Sequence, residues 1–577
     1  MSEEVAREFF FSLGLSRNDL ANPGAAVERL RDSQWETLLP AVEIIDEDSI
    51  NSRLILNIRE ELIHAKLRWS LQDEGGSISS GELELTTLKK LRSRHVGSTI
   101  IHRFIFRLNG KLPLGYHKFF ITKLSNSGEE TLGVTQLIVT PKQCYLPEVV
   151  EREQKLKGLS VQLYAARSKT NWGIGDYKDL QSLIEDVCKT EVSFVGLNPL
   201  HAFSLTPPVY FSPYAPLSRS QFNPYYLNVE ALEEMSLENS RLCQLCQSNE
   251  FKSQIEKTRS SELIDYEGVY DLKRRALEAA FEDFFENHFS KATKRSKEFL
   301  AFANSGGDAL DKYSTYEALK RHFYKLDNAS WGWPVWPLPY QDPNSTEVAR
   351  FKEENQKSML FFKYVQWQCN VQLSAVQEKA DGLALGLYLD LALGTSKDSA
   401  DVWATQSSYA VEVEAGAPPD YYNALGQKWG FAPFNPAGLK GNAFKEFIEV
   451  LVANMRYASA IRIDHIMSLT RLFWIPEGKL PIEGGYVRYP LRELSAIIAL
   501  ESHRNKCMVI GEDLGTVPND IRKTMHERRM LSYKILLFTK DRHGNFLPSD
   551  GYPELSLATG TVHDLPSFWS YWDQKDI

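Results

Sequence analysis

Three patterns of apolar and polar positions succeed one another along the chain. Up to about Trp35, NPGAAVERLRDSQWETLL places a Pro-Gly start before apolar residues at helical spacing, which predicts a small helical segment within residues 1–50. The next hundred residues alternate instead. RLILNIREEL, LRWSLQDEGG, GELELTTL, STIIHRFIFRL and YHKFFITKL are short runs broken by Gly, Ser, Asn and Asp, and they predict a β-sandwich-like module over 51–142. TPKQCYLPEVV, with two prolines and no periodicity, reads as the linker that closes it. Beyond it, strands alternate with long helical stretches, the arrangement of a parallel sheet with right-handed crossovers. LSVQLYA, SFVGLNPL, LALGLYLDLAL, AIRIDHI, CMVIGEDL, SYKILLF and ATGTVHDL are the seven candidate strands. A helix-rich insertion, about 230–375, separates the second from the third and carries apolar residues at i, i+3, i+4. The expected fold class is therefore α/β: a (β/α)8 TIM barrel with helical insertions over 143–577, seven strands visible. Only the eleven residues SFWSYWDQKDI follow Pro566, too few for an eighth strand and helix, so the barrel is expected to be incomplete at its carboxyl end.

At 577 residues the chain exceeds what one core organises, in keeping with several modules. A formal charge of −9 argues against a nucleic-acid partner, which needs clustered Lys and Arg, and leaves a neutral polymer as the better fit. Aromatic residues make up 12% of the chain, which serves a core or a surface for the apolar faces of sugar rings equally well. The start MSEEVAREFF is acidic and no run of about 18 apolar residues occurs, so neither a secretory signal nor a membrane span is expected and the protein reads as cytoplasmic. Six cysteines are too sparse for a disulfide scaffold. Cys243 and Cys246 form the one C-x-x-C and lack a second pair or nearby His, so they read as helix-spaced buried thiols.

Three candidate strands end in acids, and a polar residue at the carboxyl end of a barrel strand faces the site. On AIRIDHI, Arg462 and Asp464 are two residues apart and point to the same side. Arg462 there keeps Asp464 ionised and oriented, as a nucleophilic carboxylate requires; a structural ion pair at a strand end is the competing reading. On CMVIGEDLG, Glu512 and Asp513 face opposite sides, so one alone can face the axis. A Glu among other acids acquires a raised pKa and becomes a candidate general acid, against the plainer reading of a solvated loop acid. ATGTVHDLP closes a third strand with His563 and Asp564. Asp464 and Glu512 fall on adjacent strands, which suits retaining glycoside chemistry, where the two carboxyls stand about 5 Å apart.

These strands come with further segments in order: SPYAPLSRSQFNPYYLNVE, LIDYEGVYDLKRRALEAAF, WGWPVWPLPY, LYLDLALGTSKDSADVW, GAPPDYYNALGQKWGFAPFNP, RIDHIMSLTRLFWIPEG, GEDLGTVP and HDLP. Together they resemble the bacterial amylomaltases, glycoside hydrolase family 77 of the α-amylase clan, over nearly the whole chain. The resemblance implies a 4-α-glucanotransferase that moves α-1,4-glucan segments between maltodextrins, or to glucose, by retaining double displacement. It implies Asp464 as nucleophile, Glu512 as general acid/base and Asp564 as the third acid, gripping sugar hydroxyls. It further implies that Arg462, His465 and His563 contact the central sugar, that Asp390 supports that subsite and that Tyr214 stacks on or bonds the same ring. GAPPDYYNALGQKWG resembles the family's lid over the acceptor side, with Asp420, Tyr421 and Trp429 facing glucan. Such a cover favours transfer, because it excludes water and offers aromatic surface to a sugar. Trp331, Trp333 and Trp336 lie among prolines and fit packing or glucan contact alike.

The chain departs from the family pattern at Ser567, where Thr is usual, and in ending soon after HDLP, where the family continues to finish the barrel. The sandwich resembles the extra module of longer, enterobacterial-type members. Alternatives are an α-glucan hydrolase of the same clan and an inactive glucan-binding fragment. Maltodextrins and other α-1,4-glucans, with glucose as acceptor, are the expected partners; nucleic acid and membrane are not. Neither a metal nor an organic cofactor is expected, for want of a calcium-loop spacing, a phosphate-binding loop or a strand-borne dinucleotide fingerprint.

Overall fold

The computed structural model describes residues 3–126, 128–152, 154–237, 239–421, 423–563, 565 and 568–573. Seven parallel strands form one curled sheet in chain order: β1 (Gly158–Val161), β2 (Phe194–Leu197), β3 (Gly386–Leu391), β4 (Ala460–Ile463), β5 (Met508–Gly511), β6 (Leu531–Ile535) and β7 (Ser556–Thr559). Each lies on or beside its predicted apolar run. Every residue of β3, β4 and β5 is buried, one face in the core shared with the helices and the other in an interior cluster with Tyr533 and Ile535, which is why these strands read as apolar runs interrupted only by Asp390 and Arg462. Among the described residues, β1 and β7 are the edges of the sheet. The last strand is a correction. It ends at Thr559, where the Thr559 hydroxyl donates to the Thr561 carbonyl and Gly560 turns the chain out of the ladder, so His563 sits in a loop and does not close the strand.

The insertion is helical as expected. In Tyr266–Phe284, Val269, Leu272, Lys273, Ala276, Leu277, Ala280, Phe281 and Phe284 are buried at helical spacing, and Asp265 caps the first turn through the Gly268 N–H at 2.9 Å. Asp176 does the same for Tyr177–Val187, accepting from the N–H groups of Lys178 and Asp179, while its other oxygen accepts from Asn228 Nδ2 at 2.8 Å. Asp176→Ala is expected to lower stability by about 1–2 kcal/mol for the cap alone, read as a lower urea midpoint. Trp336 is 2% exposed among Tyr316, Phe323 and Trp403, and Trp333 is held through Nε1 on the Lys397 carbonyl, so packing accounts for both. Cys243 and Cys246 lie on helix Arg241–Gln247 as free thiols that are half-buried, where full burial was expected. No helix among the described residues is long and apolar enough to cross a membrane.

The sandwich pairs a five-stranded sheet with a three-stranded one around Leu54, Leu56, Ile58, Phe119, Ile121 and Leu137, each fully buried. Strands Val42–Asp46, Lys89–Val96 and Gly128–Thr140 have no counterpart in the sequence reading. Lys89–Val96 is nearly all exposed, so it shows no apolar alternation.

A four-stranded antiparallel sheet stands over the carboxyl ends of β3 and β4. It orders strands Gln427–Lys428, Val413–Ala417, Arg471–Pro476 and Gly485–Arg488. A Cβ at Gly416 would lie 2.1 Å from the Gln427 carbonyl oxygen, so this tight crossing requires glycine. The first helix, Glu3–Ser12, packs on this sheet and not on the sandwich that follows it in the chain.

Candidate functional site

The carboxyl ends of β3, β4 and β5 are sewn together by backbone. Asp464 N–H donates to the Leu391 carbonyl at 3.1 Å, Glu512 N–H to the Ile463 carbonyl at 3.0 Å and Ile466 N–H to the Glu512 carbonyl at 3.0 Å. Asp464 and Glu512 each follow the registered pair Ile463 and Gly511, so they are neighbours across a strand spacing of about 4.8 Å. Arg462 joins the acids. Its Nη1 donates to Asp390 Oδ1 at 2.7 Å and its Nη2 pairs with Asp464 Oδ1 at 2.9 Å. The guanidinium lies 5.1 Å over the Tyr533 ring, a residue absent from the expectations although its place on SYKILLF turns it inward.

Tyr214 reaches the same cluster from the loop after β2. Its hydroxyl donates to Asp390 Oδ2 at 2.7 Å, and burial followed by the Asp390 charge pushes its pKa upward, so it keeps that proton. Having given its one proton to Asp390, the Tyr214 oxygen accepts from His563 Nδ1 at 3.0 Å; the two rings stack at 4.0 Å.

Glu512 is 7% exposed and accepts from the His465 N–H at 3.0 Å and the Leu514 N–H at 2.6 Å. Burial, then the Asp464 charge, pushes its pKa up to about 7 against the pull of Arg462 and the two N–H groups. Burial raises Asp464 to about 6, with Arg462 opposing and Asp390 adding to the rise. The direct guanidinium contact assigns the first ionisation of the pair to Asp464 and leaves the proton on Glu512. Asp513 turns away, as alternation requires. It is tied to β6 by Ser532 Oγ at 2.5 Å, Tyr533 N–H at 2.9 Å and Lys534 Nζ at 3.2 Å.

His465 takes a left-handed conformation, φ 47°, which swings its N–H onto Glu512 and its ring beneath Trp429, 5.2 Å away edge to face. Burial, then Arg462, lowers its pKa to about 4, so it is neutral at pH 7. Trp429 stacks at 5.9 Å on Phe431 and donates Nε1 to Gln427 Oε1 at 2.9 Å. The structure thus gathers Asp390, Arg462, Asp464, His465, Glu512, Tyr214, His563 and Trp429. It does not bring Asp420 and Tyr421 to the carboxyls: Asp420 accepts from the Asn423 N–H of its own loop, and Tyr421 is 96% exposed. Asp564 lies outside the described residues.

A parallel α/β sheet of barrel type with paired carboxyls and one arginine at its strand ends defines the class, a TIM-barrel-like protein with a carboxylate site. Residues 161–576 match the glycoside hydrolase family 77 model, described as 4-alpha-glucanotransferase, and 38–141 match the MalQ N-terminal beta sandwich domain. The chain belongs to this 4-alpha-glucanotransferase family. It is 37% identical over 475 residues to a 4-alpha-glucanotransferase of Haemophilus influenzae, covering 81% of this chain and 66% of that protein. A Mycobacterium tuberculosis 4-alpha-glucanotransferase is 36% identical over 482 residues, covering 81% and 63%. The chain therefore spans slightly under two-thirds of the length of these relatives. The crystal structure of amylomaltase from Corynebacterium glutamicum superposes with a TM-score of 0.81 at 26% identity, covering 98% of this chain and 76% of that one.

Proposed function

We propose that this protein is a 4-α-glucanotransferase that acts on maltodextrins and other α-1,4-glucans, with glucose or maltodextrin as acceptor. The observation that carries the reading is Arg462 between Asp390 and Asp464, with the buried Glu512 on the neighbouring strand. In the first half-reaction an Asp464 oxygen bonds to the anomeric carbon as the glycosidic bond breaks, and Glu512 gives its proton to the departing oxygen. In the second, an acceptor hydroxyl bonds to that carbon, the ester to Asp464 breaks and Glu512 takes the hydroxyl proton. Arg462, His465 and His563 contact the central sugar in this reading. Asp390 and Tyr214 frame it, Asp564 grips ring hydroxyls, and Asp420, Tyr421 and Trp429 meet the acceptor-side glucan.

The division into a helical segment, a sandwich and a catalytic module from 143 belongs to the same reading, but the expected boundary at 50/51 lies too late, because strand Val42–Asp46 pairs in the sandwich and Leu39 and Ile45 sit in its core. A cytoplasmic site of action is supported by six free cysteines, three of them buried.

Incubation with maltotriose alone tests the function. Maltopentaose and longer products alongside glucose are expected; glucose and maltose alone would replace transfer by hydrolysis, and unchanged maltotriose would overturn both. In the same assay Tyr214→Phe is expected to lose roughly 10- to 100-fold in kcat/KM, the value of a hydrogen bond to a charged acceptor.

A further inference from the structure

The first helix, Glu3–Ser12, ends where Gly14 turns left-handed at φ +92° and the Gly14 and Leu15 N–H groups close on the Phe11 and Phe10 carbonyls. Its apolar face does not join the sandwich core. Val5, 1% exposed, and Phe9, 7% exposed, instead complete a separate cluster with Ala410, Val413, Ala415, Phe431, Leu472 and Trp474. Polar ties flank that contact: Lys479 Nζ on Glu4 Oε1 at 2.8 Å, and Asn435 Nδ2 on the Ser12 carbonyl at 3.0 Å.

The cluster is the floor of the sheet that carries Trp429. Phe9 meets the fully buried Trp474 ring at 6.4 Å, and Trp474 pairs across the strands with Ala415. The Ala415 carbonyl accepts from the Trp429 N–H at 3.0 Å, while Phe431, a member of the cluster, stacks on the Trp429 ring. From Trp429 the contacts run to the His465 ring and, through the His465 N–H, to Glu512. One unbroken series of contacts joins the first helix to the acid/base carboxyl.

We propose that Val5 and Phe9 are positioning residues for the acceptor side of the site, and that they set how the glycosyl-enzyme partitions between sugar and water. The inference rests on the transferase reading above. In both fates the bond from the anomeric carbon to Asp464 breaks and Glu512 accepts a proton, from a sugar hydroxyl in transfer and from water in hydrolysis. A loosened Trp429 weakens the hold on a sugar acceptor and leaves water its access, so the second step changes while the first does not.

The experiment compares the full chain with Phe9→Ala and the conservative Phe9→Leu. Phe9→Ala is expected to raise the hydrolysed share of maltotriose several-fold and the KM for glucose as acceptor about 3- to 10-fold. The rate of the first-turnover burst of fluoride from α-maltosyl fluoride, which reads formation of the glycosyl-enzyme before water acts, should stay within about twofold. Hydrogen exchange of segments 413–417 and 427–431 should quicken in Phe9→Ala, and Phe9→Leu should restore each readout. A parallel fall in every step, an unmoved partition or unchanged exchange overturns the proposal while the parent chain still transfers. A parent chain that turns over no maltotriose overturns the functional reading itself, and the partition claim with it.

Discussion

Asp464→Asn is expected to leave a folded protein whose rate of glycosidic cleavage is lower by roughly 10⁴-fold or more, because an amide of the same shape cannot form the ester to the anomeric carbon. Glucose release from maltotriose is the measurement, and a variant within about tenfold of the parent would remove Asp464 from the nucleophile's role. A second signature is independent of activity. The folded protein holds the Asp464 proton more tightly than the unfolded chain does, from 3.8 up to about 6, so this group's contribution to stability falls as pH rises through that interval. The Asn variant lacks that slope, which unfolding midpoints measured at pH 4 and pH 7 would reveal.

Arg462→Met carries the second large effect. Its guanidinium favours the charged form of Asp464 and opposes the rise at Glu512, so its removal raises both pKa values. The parent should show a narrow bell, since it needs the pair to hold one proton: activity rises with pH as Asp464 ionises near 6 and falls as Glu512 loses its proton near 7. In the variant both limbs are expected to move to higher pH, with kcat/KM at pH 7 lower by about 100-fold or more. A lower rate with unmoved limbs would make Arg462 a structural residue only.

How much of this was legible in the sequence depends on the range of the force that places each residue. Strands such as MVIG were readable because burial on both faces leaves an apolar run, and AIRI because Arg462 alone interrupts one. The relation of Glu512 to Asp513 was readable as an alternation. The choice between them was not, because it depends on Ser532 and Lys534 of the next strand drawing Asp513 away. The end of β7 was misplaced because HDLP looks like a strand terminus, whereas a hydroxyl-to-carbonyl bond two residues along breaks the ladder earlier. The residues expected in the lid split on the same ground. Trp429 is held by the cross-strand partner Ala415, while Asp420 bonds Asn423 of its own loop and Tyr421 stands exposed. Strand Gly128–Thr140 escaped notice because five of its first seven residues are exposed.

The ties of the first helix to Asn435 and Lys479, beside the sheet next to Trp429, join residues 423 and 475 positions apart in the chain. During synthesis at about 5–20 residues per second, Val5 and Phe9 emerge some tens of seconds before Trp474 exists to receive them. For that interval Val5 and Phe9 lack the apolar partners that bury them in the folded protein. The sandwich has its own core and can close while the helix waits, so the contacts that steady Trp429 from the first helix form only after the sheet bearing Trp474 has been made.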